Sequence, residues 1–380
     1  MSRPSKSRPM IPSNVASSQS QPGHSRARLH LLLPGSPAAL TGGTLYDRRI
    51  AEGLRRLGWE VGLQALGAAF PLPSEQDLVA ADAALAGLPP GALAVVDGLA
   101  FGAMPAVAAR HADRLRLVAL VHHPLALETG LDAAVAARLR AAETAALRQA
   151  RRVVVTSAHT ARLMADYGVP TGRVRVVEPG TDPAPLARGS TSRGVGPAPG
   201  APLQLLCVGS VTPRKGHDLL VTALAGLDHL PWRLDCVGSL TRDPVTAAAL
   251  RAHIQTLGLG ARVRLLGEVA PTTLAECYQR ADLFVLASVF EGYGMAYAEA
   301  LACGLPVLGT TGGAVADTVP ADAGLLVAPG SVTALRRALS RLLTDAALRG
   351  RLAAGAARAR ARLPDWPAAA ARFAAAVTDV

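Results

Sequence analysis

Two α/β domains, each with a mostly parallel β-sheet, are the architecture that the sequence predicts. Short apolar runs typical of buried strands alternate along the chain with Ala-, Leu- and Arg-rich stretches of helical pattern. The 380 residues suffice for two domains of ordinary size, and a Gly-, Pro- and Ser-rich segment divides the pattern at 187–202. We therefore expect an N-terminal domain at 28–186, an interdomain linker at 187–202 and a C-terminal domain at 203–363.

The composition is that of a globular protein with cores of small aliphatic side chains. Half of the residues are apolar and 3% are aromatic, so each domain can bury a core built mostly from Ala, Val and Leu. The formal net charge of +11 would suit a nucleic-acid-binding protein. However, the basic residues are spread along the chain rather than clustered with aromatic residues, so we expect no nucleic-acid partner.

The cysteines indicate a reducing compartment. Cys207, Cys236, Cys277 and Cys303 are not paired at metal-ligand spacing, and most lie in apolar runs. We interpret them as buried free thiols of a cytoplasmic protein. Apolar stretches stay shorter than the ~18 residues of a membrane-spanning helix, so we expect neither a membrane span nor a secretory signal.

Residues 1–27 are rich in Ser, Pro, Gln and basic side chains and contain no acidic residue. This composition predicts a disordered basic tail. A solvated extension is the favoured interpretation, and contact with anionic lipid or an acidic partner is the alternative.

The N-terminal domain opens with the strand, Gly-rich loop and helix that begin a Rossmann-like unit. Leu29–Leu33 is the apolar strand, Gly42 and Gly43 lie in the loop, and the helix runs to about Leu57. Later apolar runs predict further strands at 59–63, 93–96 and 115–121. His122 and His123 directly follow the strand at 115–121, where α/β proteins place ligands. From the residues alone, a surface loop is the simpler interpretation of this pair.

A basic turn follows the first strand of the C-terminal domain. The strand is Leu203–Val208, and Gly209, Arg214 and Lys215 lie before the next helix. Cationic side chains at a strand end can bind a diphosphate. Because Lys6 and Lys215 are the lysines of an Arg-rich chain, Lys215 suggests a site that needs a compact ammonium group.

The stretch from 287 to 310 combines the features of a phosphate site with two carboxylates. It follows an apolar run at 283–286 and contains a Gly-rich turn, a helical pattern at 295–302 and a short strand at 307–308. Glycines let backbone N–H groups approach a ligand, and a helix N-terminus favours phosphate. Glu291 and Glu299 bracket the turn and the helix, and carboxylates accept hydrogen bonds from hydroxyls. Phosphate together with hydroxyls indicates a sugar nucleotide.

The segment EGYGMAYAEALACGLPVLGT, followed by Gly312-Gly313, resembles the signature of the retaining family-4 glycosyltransferases. The resemblance extends over about 29–380 and implies the GT-B fold, an α/β architecture of two Rossmann-like domains that face each other across a cleft. It also implies strands at 152–155 and 174–177. A helix at about 364–380 would cross back onto the N-terminal domain. The chain departs from the family pattern at Pro179, Ser210 and Ala316, the last followed by Asp317.

The resemblance implies a role for each motif. Arg214 and Lys215 would bind the leaving diphosphate, and Glu299 would bind the ribose hydroxyls. Glu291 would hold hydroxyls of the transferred sugar. His122, with His123 as the fallback, would contact the sugar or the acceptor. The other residues that the resemblance places at the donor are Gly42, Gly43, Gly209, Gly292, Tyr293, Gly294, Met295 and Ala296.

Transfer of a sugar from a UDP- or GDP-sugar to a hydroxyl acceptor is the function that the resemblance implies. The anomeric configuration would be retained, and the acceptor would be a glycan, a lipid or a small molecule. The sequence contains no Asp-x-Asp motif, so we expect no metal ion and no cofactor besides the nucleotide-sugar substrate. A catalytically silent relative that binds sugar nucleotides is the alternative.

Two other classes fit less well. A nicotinamide dehydrogenase needs G-x-G-x-x-G after the first strand, and the chain has TGGTLY there. A glycan phosphorylase of the same fold is usually far longer and carries a pyridoxal-binding lysine.

Residues 333–362 form an Arg-rich stretch of helical pattern. A solvated helix face is the favoured interpretation, and a peripheral membrane contact is the alternative. We accordingly expect a cytoplasmic protein, with attachment to the inner membrane face as the alternative.

Overall fold

The computed structural model describes residues 27–39, 41–190 and 201–380. The predicted basic tail, apart from Ala27, and the central part of the predicted linker lie outside the described residues.

The N-terminal sheet contains six parallel strands among the described residues, in the order β2-β1-β3-β4-β5-β6. These are β1 (Arg28–Pro34), β2 (Glu60–Leu66), β3 (Leu93–Asp97), β4 (Arg116–Val121), β5 (Arg152–Val155) and β6 (Val174–Val176). Alternate residues of β1 enter different cores, since Leu31 and Leu33 pack in one cluster and Leu32 packs in the other. The sheet is therefore covered on both faces, which explains why its central strands are continuous apolar runs.

Helices of the N-terminal domain begin at side-chain caps in several places. They are α1 (Gly42–Arg56), α2 (Glu75–Ala86), α3 (Gly98–Phe101), α4 (Pro105–His111), α5 (Ala133–Gln149) and α6 (Ala158–Leu163). Thr41 caps α1 by accepting a hydrogen bond from the Thr44 N–H. Gly42 and Gly43 thus form the first turn of α1 rather than part of the predicted loop.

The C-terminal sheet also has six parallel strands in the described range, in the order β12-β11-β10-β7-β8-β9. These are β7 (Leu203–Val208), β8 (Trp232–Val237), β9 (Val263–Gly267), β10 (Leu283–Val285), β11 (Val307–Thr310) and β12 (Gly324–Val327). The strands β7, β10 and β11 agree with the apolar runs predicted at 203–208, 283–286 and 307–308, and the two parallel sheets confirm the predicted α/β fold class.

The helices of the C-terminal domain are α7 (His217–Ala225), α8 (Pro244–Thr256), α9 (Pro271–Arg280), α10 (Met295–Ala302), α11 (Val315–Thr318), α12 (Val332–Thr344) and α13 (Ala346–Arg360). The predicted helical stretch at 333–362 is two helices, because Asp345 ends α12 and caps α13, accepting a hydrogen bond from the Leu348 N–H over 2.8 Å. No helix in the described ranges is both long and apolar enough to cross a bilayer.

The last helix, α14 (Trp366–Thr378), packs on α1 of the N-terminal domain. Phe373 is 1% exposed in that core, and such burial stabilises the fold by about 1.5–3 kcal/mol. Gly53 of α1 faces Ala370 so closely that a Cβ would not fit there. The Thr181 N–H donates to the carbonyl of Pro364 over 2.7 Å, so the chain runs back beside the segment that leaves the N-terminal domain.

The domains meet through loops at the carboxyl ends of their strands. Thr160 Oγ1 at the start of α6 donates to the carbonyl of Gly292 over 3.4 Å. Arg162 Nη2 lies 3.1 Å from Asp317 Oδ2, so Asp317 beside the atypical Ala316 forms an interdomain ion pair. Parallel sheets place ligands at this end of their strands, and the facing loops therefore enclose the candidate site.

Candidate active site

The basic turn lies directly after β7, at the carboxyl end of the C-terminal sheet. A 3-10 turn at Pro213–Lys215 leads into α7 through Gly216, which has a φ of +62°. This left-handed conformation favours glycine, and the carbonyl of Ala287 leaves no space for a Cβ. The side chains of Arg214 and Lys215 are therefore held at the start of α7, close to the loop that follows β10.

Glu291 receives both cationic side chains of this turn. Lys215 Nζ donates to Glu291 Oε1 over 2.6 Å, and Arg214 Nη1 lies 3.4 Å from Glu291 Oε2. Ser288 Oγ also donates to Glu291 Oε1, over 2.5 Å. Burial alone would raise the pKa of Glu291, but the charges of Lys215 and Arg214 outweigh it and lower the pKa to about 2. The carboxylate is thus ionised and oriented at neutral pH.

A second carboxylate reaches the same cluster from the N-terminal domain. Glu128 Oε1 lies 3.1 Å from Arg214 Nε, and Glu128 Oε2 lies 3.4 Å from His123 Nε2. Burial opposes ionisation, but the nearby His123 imidazole and the charge of Arg214 lower the pKa of Glu128 to about 2. Arg214 and Lys215 therefore face Glu128 and Glu291, and an anionic ligand that binds these cations would share them with the carboxylates.

The helix α10 begins at the turn between the two glutamates of the motif. Gly294 is its N-cap and has a φ of +92°, which favours glycine. Glu299 lies further along and accepts a hydrogen bond from Tyr278 Oη over 2.7 Å. Burial raises the pKa of Glu299, and the charge of Asp182 in the N-terminal domain raises it further. The carboxyl group of Glu299 is therefore held by Tyr278 and lies within the electrostatic reach of Asp182, which pairs with Arg49 of α1.

His122 is held by its own domain. Its Nε2 lies 3.1 Å from Asp47 Oδ1 and 3.2 Å from Asp97 Oδ2. Burial would lower the pKa of His122, but the two carboxylates outweigh burial and raise the pKa to about 10. Burial and the neighbouring Asp97 raise the pKa of Asp47 to about 7. The imidazole is thus a cation whose Nε2 points away from the C-terminal domain, and its predicted contact with the sugar or the acceptor remains a prediction.

Small residues let the two domains approach closely beside His122. A Cβ on Gly43 would lie 3.2 Å from His122 Cδ2, and Gly292 touches the carbonyl oxygen of His122 with no room for a Cβ. A Cβ on Gly42 would lie 4.0 Å from Met295 Sδ. Gly42 and Gly292 therefore lie where the two domains contact each other, whereas Gly43 packs on His122 within the N-terminal domain.

The other predicted donor-binding residues surround these groups. Gly209 lies against the aliphatic chain of Lys215, where a Cβ would be 3.3 Å from Cδ. Tyr293 is buried, and its carbonyl accepts from Thr318 Oγ1 over 2.7 Å. The carbonyl of Ala296 accepts from Tyr278 Oη over 3.4 Å.

A cavity of about 360 Å³ lies between the domains. The loop before α1 forms one wall, and the ends of β7, β8 and β9 form the other. The lining residues are Ala38, Ala39, Thr41, Ser210, Ser239, Thr241, Arg242 and Glu268. Ser210, which departs from the family pattern, therefore faces this cavity. The cavity lies next to the turn that carries Arg214 and Lys215 and is lined by polar and small side chains.

The structure brings Arg214, Lys215 and Glu291 into contact but does not join Glu299 to them. Sequence reasoning missed Asp47, Asp97, Glu128 and Tyr278. Asp97 had a signal, since it ends an apolar strand just as His122 follows one. Glu128 had none, because its contact with Arg214 spans 86 positions and two domains.

Two parallel sheets facing each other, with a Lys–Arg–Glu cluster between them, define a protein of the GT-B glycosyltransferase class. Residues 190–359 match the family described as Glycosyl transferases group 1, and residues 94–185 match the family described as Glycosyltransferase Family 4. Together these matches cover more than half of the chain. The chain therefore belongs to the family-4 glycosyltransferases, whose C-terminal part is described as group 1.

Relatives and solved structures agree with this family. The chain is 36% identical over 217 residues to the D-inositol 3-phosphate glycosyltransferase of Xylanimonas cellulosilytica, covering 54% of this chain and 51% of the relative. It is 35% identical over 146 residues to a lipopolysaccharide core biosynthesis mannosyltransferase of Rhizobium leguminosarum, covering 37% and 41%. The chain thus spans about half the length of the curated relatives that it matches.

Among solved structures, sucrose-phosphate synthase of Thermosynechococcus elongatus superposes with a TM-score of 0.77 at 24% identity, covering 92% of this chain and 98% of that one. Anabaena HepE in complex with UDP-glucose superposes with a TM-score of 0.73 at 18% identity, covering 92% and 100%. At these identities the likeness supports the fold alone, and it confirms the predicted GT-B architecture.

Proposed function

We propose that the protein transfers a sugar from a nucleotide-sugar donor to a hydroxyl acceptor. The observation that carries this proposal is the Lys215–Glu291 contact of 2.6 Å beside Arg214. Two cations at the carboxyl end of a parallel sheet suit a diphosphate, and an oriented, ionised carboxylate suits sugar hydroxyls. A structural neighbour, Anabaena HepE, was solved in complex with UDP-glucose, which supports a nucleotide sugar as the donor.

In this proposal the diphosphate binds Arg214 and Lys215, which stabilise the charge that develops as the phosphate leaves. Backbone N–H groups at the start of α10 add to that stabilisation, because a helix N-terminus carries partial positive charge. The nucleoside enters the cavity of about 360 Å³, while Glu299 accepts hydrogen bonds from the ribose. Closure of the cleft excludes water, so the acceptor hydroxyl competes better for the sugar.

The stereochemistry and the metal requirement are also proposals. We propose that the anomeric configuration is retained, with the leaving phosphate accepting the proton of the acceptor hydroxyl. Lys215 and Arg214 already supply positive charge where the diphosphate would lie, so the transfer needs no added Mg²⁺ or Mn²⁺. Assays of dialysed protein with and without these cations test this point, and a rate that depends on either ion would overturn it.

A donor panel tests the proposed function. UDP-, GDP- and ADP-sugars are compared by thermal shift, since a ligand present at 100 times its Kd stabilises by about 2.7 kcal/mol. D-inositol 3-phosphate is the first acceptor to try, because the curated relatives carry it in their name. We expect one nucleotide to stabilise the wild type and Glu276→Gln, an exposed control on α9, but to stabilise Glu299→Gln less.

The panel also separates the two candidate functions. Donor binding followed by transfer supports the enzyme, whereas donor binding without turnover for any acceptor supports the silent relative. Absence of stabilisation by every nucleotide sugar would overturn both.

We propose that the Arg-rich helices α12 and α13 are a solvated surface rather than a membrane contact. Arg349 Nη1 donates to the carbonyl of Leu342 over 2.7 Å, and Arg358 Nη2 donates to Asp322 Oδ2 over 2.7 Å. These two arginines are therefore already bonded to protein groups, which leaves less positive charge free to contact an anionic membrane. Co-sedimentation with anionic vesicles at physiological salt would reveal the peripheral membrane contact instead.

A further inference from the structure

A cluster of two cysteines and a histidine lies beneath the basic turn. Cys207 of β7 and Cys236 of β8 are direct partners in the parallel register, and His217 is the first residue of α7. One potential ligand atom from each lies within 4.8 Å of the other two. The three residues are 0%, 3% and 3% exposed, in the order Cys207, His217, Cys236. Their side chains thus converge on one closed point between the sheet and α7.

The histidine of this cluster lacks the contacts that a buried imidazole needs. Neither ring nitrogen of His217 has a hydrogen-bond partner among the described residues. By contrast, His253 of the same domain shares a hydrogen bond of 2.8 Å with Thr222. Buried polar groups are normally satisfied, and an orphaned one indicates a missing water or ion. The Sγ atoms of Cys207 and Cys236 lie within 4.8 Å of a ring nitrogen of His217, and sulfur is a poor hydrogen-bond partner but a strong ligand for metals.

We propose that Cys207, His217 and Cys236 bind one soft d¹⁰ metal cation, Zn²⁺ or Cu⁺. Thiolate and imidazole ligands select these ions over Mg²⁺ or Ca²⁺, which prefer oxygen. In the described part of the chain the neighbouring Asp235 is not free to join the set, because Arg264 binds both of its oxygens over 2.6 Å each. Structural zinc sites are almost always four-coordinate, so a closed set of three ligands, two of them soft thiolates, favours Cu⁺.

The site would act on structure rather than on the reaction itself. Cys207 lies two positions before Gly209, and His217 lies two positions after Lys215. A bound metal would join β7, β8 and the start of α7, thereby holding both ends of the turn that carries Arg214 and Lys215. This differs from the group of Asp47, Asp97 and His122, whose ligand atoms also lie close together but already bond to one another.

Metal binding is measured directly on the full chain. The protein is purified under reducing conditions, stripped of metal, and titrated with Zn²⁺ or with Cu⁺ in competition with a chromophoric chelator. Bound metal is counted by mass spectrometry after desalting, and melting temperatures are recorded alongside. We expect one ion per chain and a higher melting temperature, with the two titrations showing which ion binds more tightly.

Variants assign the binding to the cluster. Cys236→Ser and His217→Gln should lose the bound ion and the thermal shift, whereas Cys277→Ser and Cys303→Ser, which change buried thiols outside the cluster, should keep both. Equal binding by the cluster variants would overturn the proposal. If a cluster variant fails to fold, the wild-type measurement tests the proposal instead. A folded, reduced wild-type chain that binds neither ion would overturn the proposed site, and so would a Cys207–Cys236 disulfide in the purified protein. These readouts do not depend on sugar transfer.

Discussion

Glu128 of the N-terminal domain and Arg214 of the C-terminal domain form an ion pair across the cleft, with 3.1 Å between Oε1 and Nε. The carboxylate therefore occupies the Nε edge of the guanidinium that we propose to bind the donor diphosphate. This ion pair couples the contact between the domains to ligand binding, because a bound diphosphate would compete with Glu128 for Arg214.

Glu128→Gln should strengthen the binding of the nucleoside diphosphate. A partly exposed ion pair contributes about 0.5–1 kcal/mol, so removal of the competing charge should lower the Kd by about two- to fivefold. Isothermal titration with the nucleotide identified in the donor panel measures this change, with Glu276→Gln as the control. Weaker binding by Glu128→Gln would mean that Glu128 positions Arg214 instead of competing for it.

Lys215→Ala should abolish most of the transfer activity. Loss of one preorganised charge at a developing anion typically lowers kcat by about 10²–10³-fold. The variant should also be less stable by ~1–3 kcal/mol, because Glu291 stays buried with a weaker set of partners. Steady-state kinetics and circular dichroism measure the two effects, and Arg233→Ala, an exposed cation on β8, is the matched control. Turnover like that of the wild type would refute the diphosphate role of Lys215.

Asp97→Asn should lower the pKa of His122. Burial alone would lower this pKa, and the value of about 10 depends on the carboxylates of Asp47 and Asp97. Loss of one opposite charge within hydrogen-bonding distance should reduce the pKa by about one to three units. An NMR titration of the imidazole resonances measures it, and His253, bonded to Thr222, is the internal control. An unchanged His122 resonance would show that Asp47 suffices to hold the charge.

Glu143→Gln should make the protein more stable at alkaline pH. Glu143 is 1% exposed on α5, and burial raises its pKa from 4.5 to about 8. The folded chain therefore retains a proton that the unfolded chain releases above pH ~4.5, so stability falls as the pH rises from there through about 8.

Melting temperatures at pH 5 and pH 9 test whether stability falls as the pH rises. The variant and the wild type should melt together at pH 5, while at pH 9 the variant should melt higher by at least about 4 °C. Glu276→Gln should behave as the wild type does at both values. A variant that melts lower at pH 9 would indicate that the Leu125 N–H bond to Glu143 outweighs the charge.

Local signals were enough to predict most strands and the strand ends that carry Arg214, Lys215 and Glu291, but not the contact of Glu291 with the two cations. A strand covered on both faces must be apolar along its length, and a turn at its end is recognisable from Gly and charge. The break at Asp345 was missed because Ala, Leu and Arg continue on both sides of it. It could have been found from the Asp alone, since Asp favours N-caps.

Contacts between distant segments could not be predicted in this way. Glu128 reaches Arg214, and Tyr278 reaches Glu299, only once the folded chain has placed their elements together. The orientation of His122 depends likewise on Asp47 and Asp97, which lie on separate elements. Sequence therefore predicts which strand end carries a functional side chain more readily than it predicts which neighbour that side chain binds.

The chain crosses between the two domains twice. The hydrogen bond from the Thr181 N–H to the Pro364 carbonyl shows that the two crossings lie side by side. Two adjacent backbone connections restrain sliding of one domain along the other more than they restrain rotation about the connected edge. We therefore expect a ligand to be admitted by such a rotation, in which the opposite edge of the cleft widens. Truncation before Trp366 would remove one of these connections and expose the face of α1 at the same time.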